Sequence, residues 1–356
     1  MINLNEIERY RENNRIEAKK ALGGLPESIW ETYSAFANTL GGIILLGVEE
    51  YRDHSLHTVD LPHPEEMVEL FFDKVNDRHK ASANILSRND VFIAESGGNH
   101  IIVINVPRAS RSERPVYING HIEETYRRSG EGDYRCTKYE IESMLRDAEK
   151  VTRDMHCLSQ LTMDDLDMNS WHAYRSALSY AKPEAGYDLV SDEELLCEIH
   201  AAKKNGSSIT LTRAGVLLSG REEVIHAIYP AYALVCDGEV VHGNLYTFYE
   251  GMKEKVLHLS LESDVRHAVL EAILNSIVNA DYDAGGPLSI TFSEQEIRME
   301  NPGAFRIAFE QAVDGGNADP RNSAIAHMFN LIGEGNHNGS GIPGIWNTWR
   351  KHGFAL

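Results

Sequence analysis

The stretch from Glu27 to Val48, ESIWETYSAFANTLGGIILLGV, constrains the fold more than any other part of the chain. Ile29, Trp30, Tyr33, Phe36, Ala37 and Leu40 recur at helical intervals, which predicts an amphipathic helix over Glu27 to Leu40. Gly41 and Gly42 end it, and Ile43 to Val48 is a short apolar run bounded by glycine and acid, the pattern of a buried strand. A helix that enters a strand through two glycines leaves little room for a Cβ at the junction, so helix and sheet must pack closely. Further strands are expected at Val91 to Ala94 and Ile101 to Val106, with helices at Pro64 to Asn76 and Lys138 to Lys150. Together these make a mixed α/β unit over residues 1–150.

The remainder divides into a helical connector over residues 151–225, resembling a degenerate winged helix, and a third unit over 226–356. In the connector, Thr212 is placed to cap a short apolar helix. The third unit is expected to hold strands in YPAYALVCDG and GNLYTFYEG, a long helix over Leu261 to Ala280, and a strand pair in LSITFS and EIRMEN. The fold class expected for the whole chain is α+β.

Of 356 residues, 42% are apolar and 25% charged, enough to bury a core in each unit. No stretch approaches the ~20 apolar residues of a membrane span, and the N-terminus lacks the apolar core of a secretory signal, so a cytoplasmic protein is expected. The formal charge of -20 opposes indiscriminate adhesion to phosphate backbones, and any nucleic-acid site must be a local patch. The four cysteines are too widely spaced for a zinc knuckle or redox pair and are read as reduced. His54, His57 and His63 fit no zinc spacing and are assigned to loops.

Polar and apolar residues alternate from Arg15 to Lys19, so a strand there sets Arg15, Glu17 and Lys19 on one face. Glu-x-Lys on a strand can pair a metal ligand with a charge that steadies an attacking hydroxide or a phosphate. Glu12 upstream, and Glu49 with Glu50 at the exit of the buried strand, could bring three acids to one end of the sheet. Basic residues gather at Arg108, Arg111, Arg114, Arg127, Arg128, Arg135 and Lys138, interleaved with tyrosines, as a surface gripping phosphates would be.

In the third unit, Glu271, Asn275 and Asn279 fall at intervals of four and share one stripe of an otherwise apolar helix. Asparagine offers a neutral oxygen to a hard Mg²⁺ ion, and a nearby carboxylate can orient water. Downstream, EGNHNGSGI is a loop of small residues running into a helix, which brings backbone N–H groups and the helix dipole toward a phosphate.

These motifs carry two family resemblances. RENNRIEAKK, AFANTLGGIILLGVEE and ETYRRSGEGDYRCTKYEIESML resemble the Schlafen-type AlbA-like domain, described as a DNA-binding or transcription-regulating module. Some Schlafen relatives cut RNA with three carboxylates, which would here be Glu12, Glu17 and one of Glu49 or Glu50, with Lys19 beside them. RHAVLEAILNSIVNADY, IRMENPG, RNSAIAHMF and GSGI, in that order, resemble the GHKL-type ATP-binding domain. That resemblance implies Glu271 as the activating carboxylate of any ATP hydrolysis, Asn275 as the Mg²⁺ ligand and Asn279 on the same stripe. It also implies Asn301 to Gly303 as the turn beneath the base and Gly339, Ser340 and Gly341 as the phosphate loop. Asn301 stands where GHKL ATPases place an aspartate.

The combined expectation is a nucleic-acid-binding regulator gated by ATP and Mg²⁺, with a metal-dependent ribonuclease as the alternative. Its expected partners are DNA or RNA and, as a candidate, a second copy of the chain; no membrane is expected.

Overall fold

The computed structural model describes residues 3–206, 208–293, 295–316, 318–335 and 339–355. The chain is an α+β protein that divides into two compact units, Met1–Ala148 and Glu149–Leu356.

The first unit runs β1 (Ile16–Lys19), α1 (Ile29–Asn38), β2 (Gly42–Leu46), β3 (Val48–Glu50), β4 (Leu56–Thr58), α2 (Pro64–Asn76), β5 (Val91–Ser96), β6 (Asn99–Val106), β7 (Tyr126–Ser129), β8 (Gly132–Arg135) and α3 (Lys138–Ala148). Its four-stranded sheet has the order β1-β2-β6-β5, with β1 parallel to β2 and the other pairs antiparallel. β3 with β4 and β7 with β8 form two hairpins. Side chains alternate across a strand, so Ile44 and Leu46 join the core under α1 and α2 while Leu45 joins a second core on the opposite face. This two-sided burial explains why β2 is an unbroken apolar run. In the first core Trp30 stacks on Phe71 with centroids 5.4 Å apart.

Asn38 and Thr39, at the end of α1, tie distant segments to it. The Asn38 amide accepts from the Val116 N–H at 2.8 Å and donates to the Val116 and Tyr126 carbonyls at 2.8 and 3.1 Å, and it is 8% exposed. Thr39 Oγ1 accepts from the Arg128 N–H at 3.0 Å. Leaving such a buried amide unpaired would cost about 1–3 kcal/mol.

The second unit runs α4 (Met168–Ala181), α5 (Asp192–Glu198), β9 (Ala202–Asn205), β10 (Ser208–Leu211), α6 (Arg213–Ser219), α7 (Glu222–Ile228), β11 (Leu234–Cys236), β12 (Glu239–Val240), α8 (Leu245–Leu257), α9 (Ser263–Asn279), β13 (Leu288–Phe292), β14 (Ile297–Glu300), α10 (Phe309–Asp314), α11 (Ser323–Leu331) and α12 (Gly341–His352). β12-β11-β13-β14 is its sheet order, with β11 parallel to β13. One apolar core runs from Leu166 through Leu331, so residues 151–225 share a core with residues 226–356. Thr212 caps α6 through the Gly215 N–H at 3.1 Å. Asp154, 1% exposed, accepts from the Ala324 and Ile325 N–H groups at 2.8 and 3.1 Å and so caps α11.

GNLYTFYEG, expected as a strand, is instead the start of α8. Asn244 caps that helix in a reciprocal box with Thr247, and Leu245, Phe248, Tyr249, Met252 and Val256 are buried at three- and four-residue spacing. Aromatic content suggests β structure, but the helical period and the cap prevail. Among the described residues no helix is long and apolar enough to cross a membrane.

Candidate nucleic-acid and nucleotide sites

In the first unit the alternation of β1 sets Glu17 and Lys19 side by side, with Lys19 Nζ donating to Glu17 Oε1 at 2.8 Å. The other Glu17 oxygen accepts from Arg128 Nη2 at 2.8 Å. Arg128, expected on a phosphate-gripping surface, has a side chain that is only 1% exposed. Its guanidinium also pairs with Asp133 at 2.9 Å, donates to the Asn13 and Ile16 carbonyls, and lies 5.1 Å from the Phe36 ring centroid. Asp133 in turn accepts from Thr32 Oγ1 at 2.6 Å. This buried arginine ties the β7–β8 hairpin to β1 and α1, and its donors are spent on protein groups.

Glu12 Oε1 accepts from the Ala18 N–H at 2.8 Å. Burial raises its pKa above the ordinary carboxylate value; the Ala18 bond opposes this, and the charges of Glu17 and Glu50 add to it. Glu49 pairs with Lys20 at 2.8 Å, whereas Glu50 meets His54 at 3.1 Å. Glu50 is therefore the exit acid whose charge reaches Glu12. Glu12, Glu17 and Glu50 thus act on one another electrostatically, with Glu17 held by two cations and Glu49 turned to Lys20. Among the described residues the one group of three with ligand atoms within 4.8 Å is Glu262, Asp264 and His352, which no sequence motif marks. There Lys351 Nζ lies 2.6 Å from Asp264 and, with His352, holds that carboxyl well below its usual range, clasping the C-terminus of α12 to the start of α9.

The remaining basic residues fall into distinct settings. Arg114 is buried, and Arg111 donates to the Asp147 carbonyl at 2.7 Å. Arg127, Arg135 and Lys138 reach the surface of the β7–β8 hairpin and the start of α3, but each faces an acid: Glu140 at 2.8 Å, Glu124 at 3.5 Å and Glu142 at 3.7 Å. Exposed pairs of this kind are weak and can exchange for phosphate. Arg108 is separate from them and lines a cavity of about 500 Å³ at one end of the first sheet, together with Arg15.

In the second unit Glu271, Asn275 and Asn279 do share one stripe of α9, and they face a cavity of about 640 Å³. Asn301, Gly303, Gly339 and Gly341 line the same cavity. Asn275 and Asn279 donate their amide N–H₂ groups to the carbonyls four residues back, at 2.9 and 3.0 Å, which makes each amide oxygen the group available to a ligand. Asn301 donates to the Pro302 carbonyl at 3.3 Å. Gly303 has φ of +100°, and a Cβ there would overlap the Arg321 guanidinium. A Cβ at Gly341 would overlap the Glu271 carboxylate and stand 3.1 Å from Asn275 Nδ2, so the start of α12 lies directly against the α9 stripe. Ser340 is exposed and does not line the cavity; its carbonyl accepts from Gly344. Asn336 to Asn338 of the preceding loop lie outside the described residues.

Among the described residues, Glu271, Glu300 and Asp319 give this cavity three carboxylates against the guanidinium of Arg306, which itself pairs with Asp319 at 3.5 Å. A polyphosphate would enter such a cavity only with a divalent cation to offset the charge, and the amide and carboxylate oxygens are suitable ligands for Mg²⁺.

Residues 12–137 match the family described as Schlafen, AlbA_2, and residues 142–235 match a domain of unknown function, DUF8451. The first unit therefore carries a Schlafen, AlbA_2 domain. Among solved structures, the chain is similar to the DIP2311 protein from Corynebacterium diphtheriae, at 19% identity over 92% of this chain and 59% of that one, with a TM-score of 0.41. This chain thus spans less than two thirds of that protein. It is also similar to the N-terminal domain of a RecG-related protein from Nitrosomonas europaea, at 31% identity over 38% of this chain and 90% of that one, with a TM-score of 0.29. No curated protein matches the chain.

Proposed function

We propose that this protein is a nucleic-acid-binding regulator in which the Schlafen, AlbA_2 domain engages the nucleic acid and the second unit binds a magnesium nucleotide of the ATP type. The nucleic-acid half of the reading is supported by the family match over residues 12–137. The nucleotide half is carried by one observation: seven residues drawn from separated motifs, Glu271, Asn275, Asn279, Asn301, Gly303, Gly339 and Gly341, line one cavity. Its volume of about 640 Å³ falls within the ~300–1,000 Å³ of ligand clefts. Asn275 would hold the Mg²⁺, which offsets the excess of carboxylates in the lining, and the turn at Gly303 would lie beneath the base.

The test is a thermal melt of the full chain with and without Mg²⁺ and ATP or a non-hydrolysable analogue. Ligand at one hundred times its dissociation constant stabilises the native state by about 2.7 kcal/mol. For a unit of this size that raises the melting temperature by roughly 5–10 °C. Asn275→Ala should remove the magnesium-dependent part of the rise while shifting the unliganded melt little. A wild-type protein whose melt does not move at millimolar Mg-nucleotide would refute the nucleotide half.

A further inference from the structure

We propose that the cavity at the start of β1 and β2 is a nucleotide pocket for single-stranded nucleic acid, with Arg15 and Arg108 as its phosphate clamp. The proposal rests on the reading of the first unit as nucleic-acid-binding and adds where, and in what form, the nucleic acid is held.

The topology makes the pocket. β1 and β2 run in parallel and β6 runs against them, so the starts of β1 and β2 and the end of β6 share one end of the sheet. Arg15 precedes β1, Arg108 comes after β6, and β2 lies between those strands. Two strand spacings set the flanking strands roughly 10 Å apart. Between them is the cavity of about 500 Å³, walled by Ile16, Leu40, Ile43 and Val106, with Asn105 among its lining residues. Asn105 pairs in register with Ile43.

Each feature suits one nucleotide. The apolar walls can cover the face of a base, and an asparagine amide can both donate to and accept from its edge. Guanidinium groups bind phosphate oxygens in a fixed fork. One carboxylate, Asp90, also lines the cavity, but its Oδ2 accepts from the Ser87 N–H and hydroxyl at 2.7 and 2.6 Å, so it is engaged in capping a short turn. The lining thus carries two positive charges and one negative in a chain of net charge -20. Bases in a duplex are paired and stacked, whereas a base in a single strand can turn out into such a pocket. The pocket lies at the start of β1, where Ile16 lines it, while Lys19 lies at the other end of that strand.

The experiment is fluorescence anisotropy on the full chain, using labelled single-stranded DNA, single-stranded RNA and duplex DNA oligonucleotides across a salt series. Arg15→Ala with Arg108→Ala should weaken single-strand binding at least about tenfold at low salt and flatten the salt slope by about 1.4, the value for two lost phosphate contacts on a single strand. The charge-matched control, Arg9→Ala with Lys74→Ala, should change much less. Asn105→Leu, which leaves every charge in place, should weaken single-strand binding at an unchanged salt slope and leave duplex binding alone. This second variant tests the pocket even if the double arginine variant fails to fold. The DNA and RNA arms show which strand the pocket prefers. Equal effects of the pocket variants and the control, unchanged binding in Asn105→Leu, or competition by a free nucleoside monophosphate as strong as that of the strand would each overturn the proposal. If the wild type binds no oligonucleotide at low salt, the nucleic-acid reading of the first unit fails with it, whereas wild-type binding that ignores the pocket variants sinks the pocket alone.

Discussion

Replacing Gly42 by alanine should loosen the first unit specifically because of Phe36. A Cβ at Gly42 would lie 2.7 Å from three atoms of the Phe36 ring, about 1 Å inside ordinary carbon contact. The ring cannot simply step back: Phe36 is fully buried and the Arg128 guanidinium sits 5.1 Å from its centroid. Overpacking of this kind costs about 1–3 kcal/mol. Because the chain has two units, a global melt would blend their transitions, and hydrogen exchange resolved along the chain is the better assay. At about 1.4 kcal/mol per factor of ten, the slowly exchanging amides of α1, β2 and β6 should exchange roughly 5- to 150-fold faster, with the second unit as internal reference. Phe36→Leu should relieve the clash, so the double variant should lose less than the sum of the single losses by about 1 kcal/mol. Gly41→Ala supplies the contrast. Gly41 has φ of +71°, and its Cβ would meet the Val106 carbonyl oxygen at 2.8 Å and the Arg108 nitrogen at 2.9 Å, backbone atoms that no change at Phe36 can move. Additive losses for Gly42→Ala and Phe36→Leu, or rescue of Gly41→Ala by Phe36→Leu, would refute the steric argument.

Arg128→Met should destabilise the first unit by about 3–5 kcal/mol, since Glu17 and Asp133 would lose their shared buried cation; urea denaturation with exchange read in β1 and β7 checks this. Glu12 binds its proton more tightly in the folded state than in the unfolded one, so its contribution to stability falls as pH rises from the ordinary value of 4.5 through its raised folded pKa. Glu12→Gln should flatten that slope, and a pH series of urea midpoints in which wild type and variant run parallel would exclude Glu12 as its source. Asp154→Ala removes the cap of α11 and should cost about 0.5–2 kcal/mol, read as faster exchange at Ala324 and Ile325 in particular.

The local sequence determined the elements whose period and punctuation agree. The helix, glycine pair and buried strand from Ile29 to Leu46 are legible because every turn of α1 presents an apolar residue and the glycines leave no alternative route. The α9 stripe is legible for a related reason: spacing by four on a helix fixes a shared face whatever the helix packs against. α8 is also encoded locally, in the Asn244 cap and the helical spacing after it, but aromatic content points toward a strand. Tertiary structure alone decided what the charged residues do. Sequence places Arg127 and Arg128 side by side in a basic run, yet neighbours on a strand point to opposite faces. One reaches the surface, and the other is buried 2.8 Å from Glu17, 111 residues away. Likewise Glu49 and Glu50 are equivalent in the sequence, but the β3–β4 hairpin turns one to Lys20 and the other to His54 and toward Glu12. That Arg15 and Arg108 line one cavity at the sheet end depends on strand order, which no local pattern carries. The nearest-neighbour chain sets backbone preference and burial period, whereas the partner of a charge is set by whichever distant strand the sheet brings beside it.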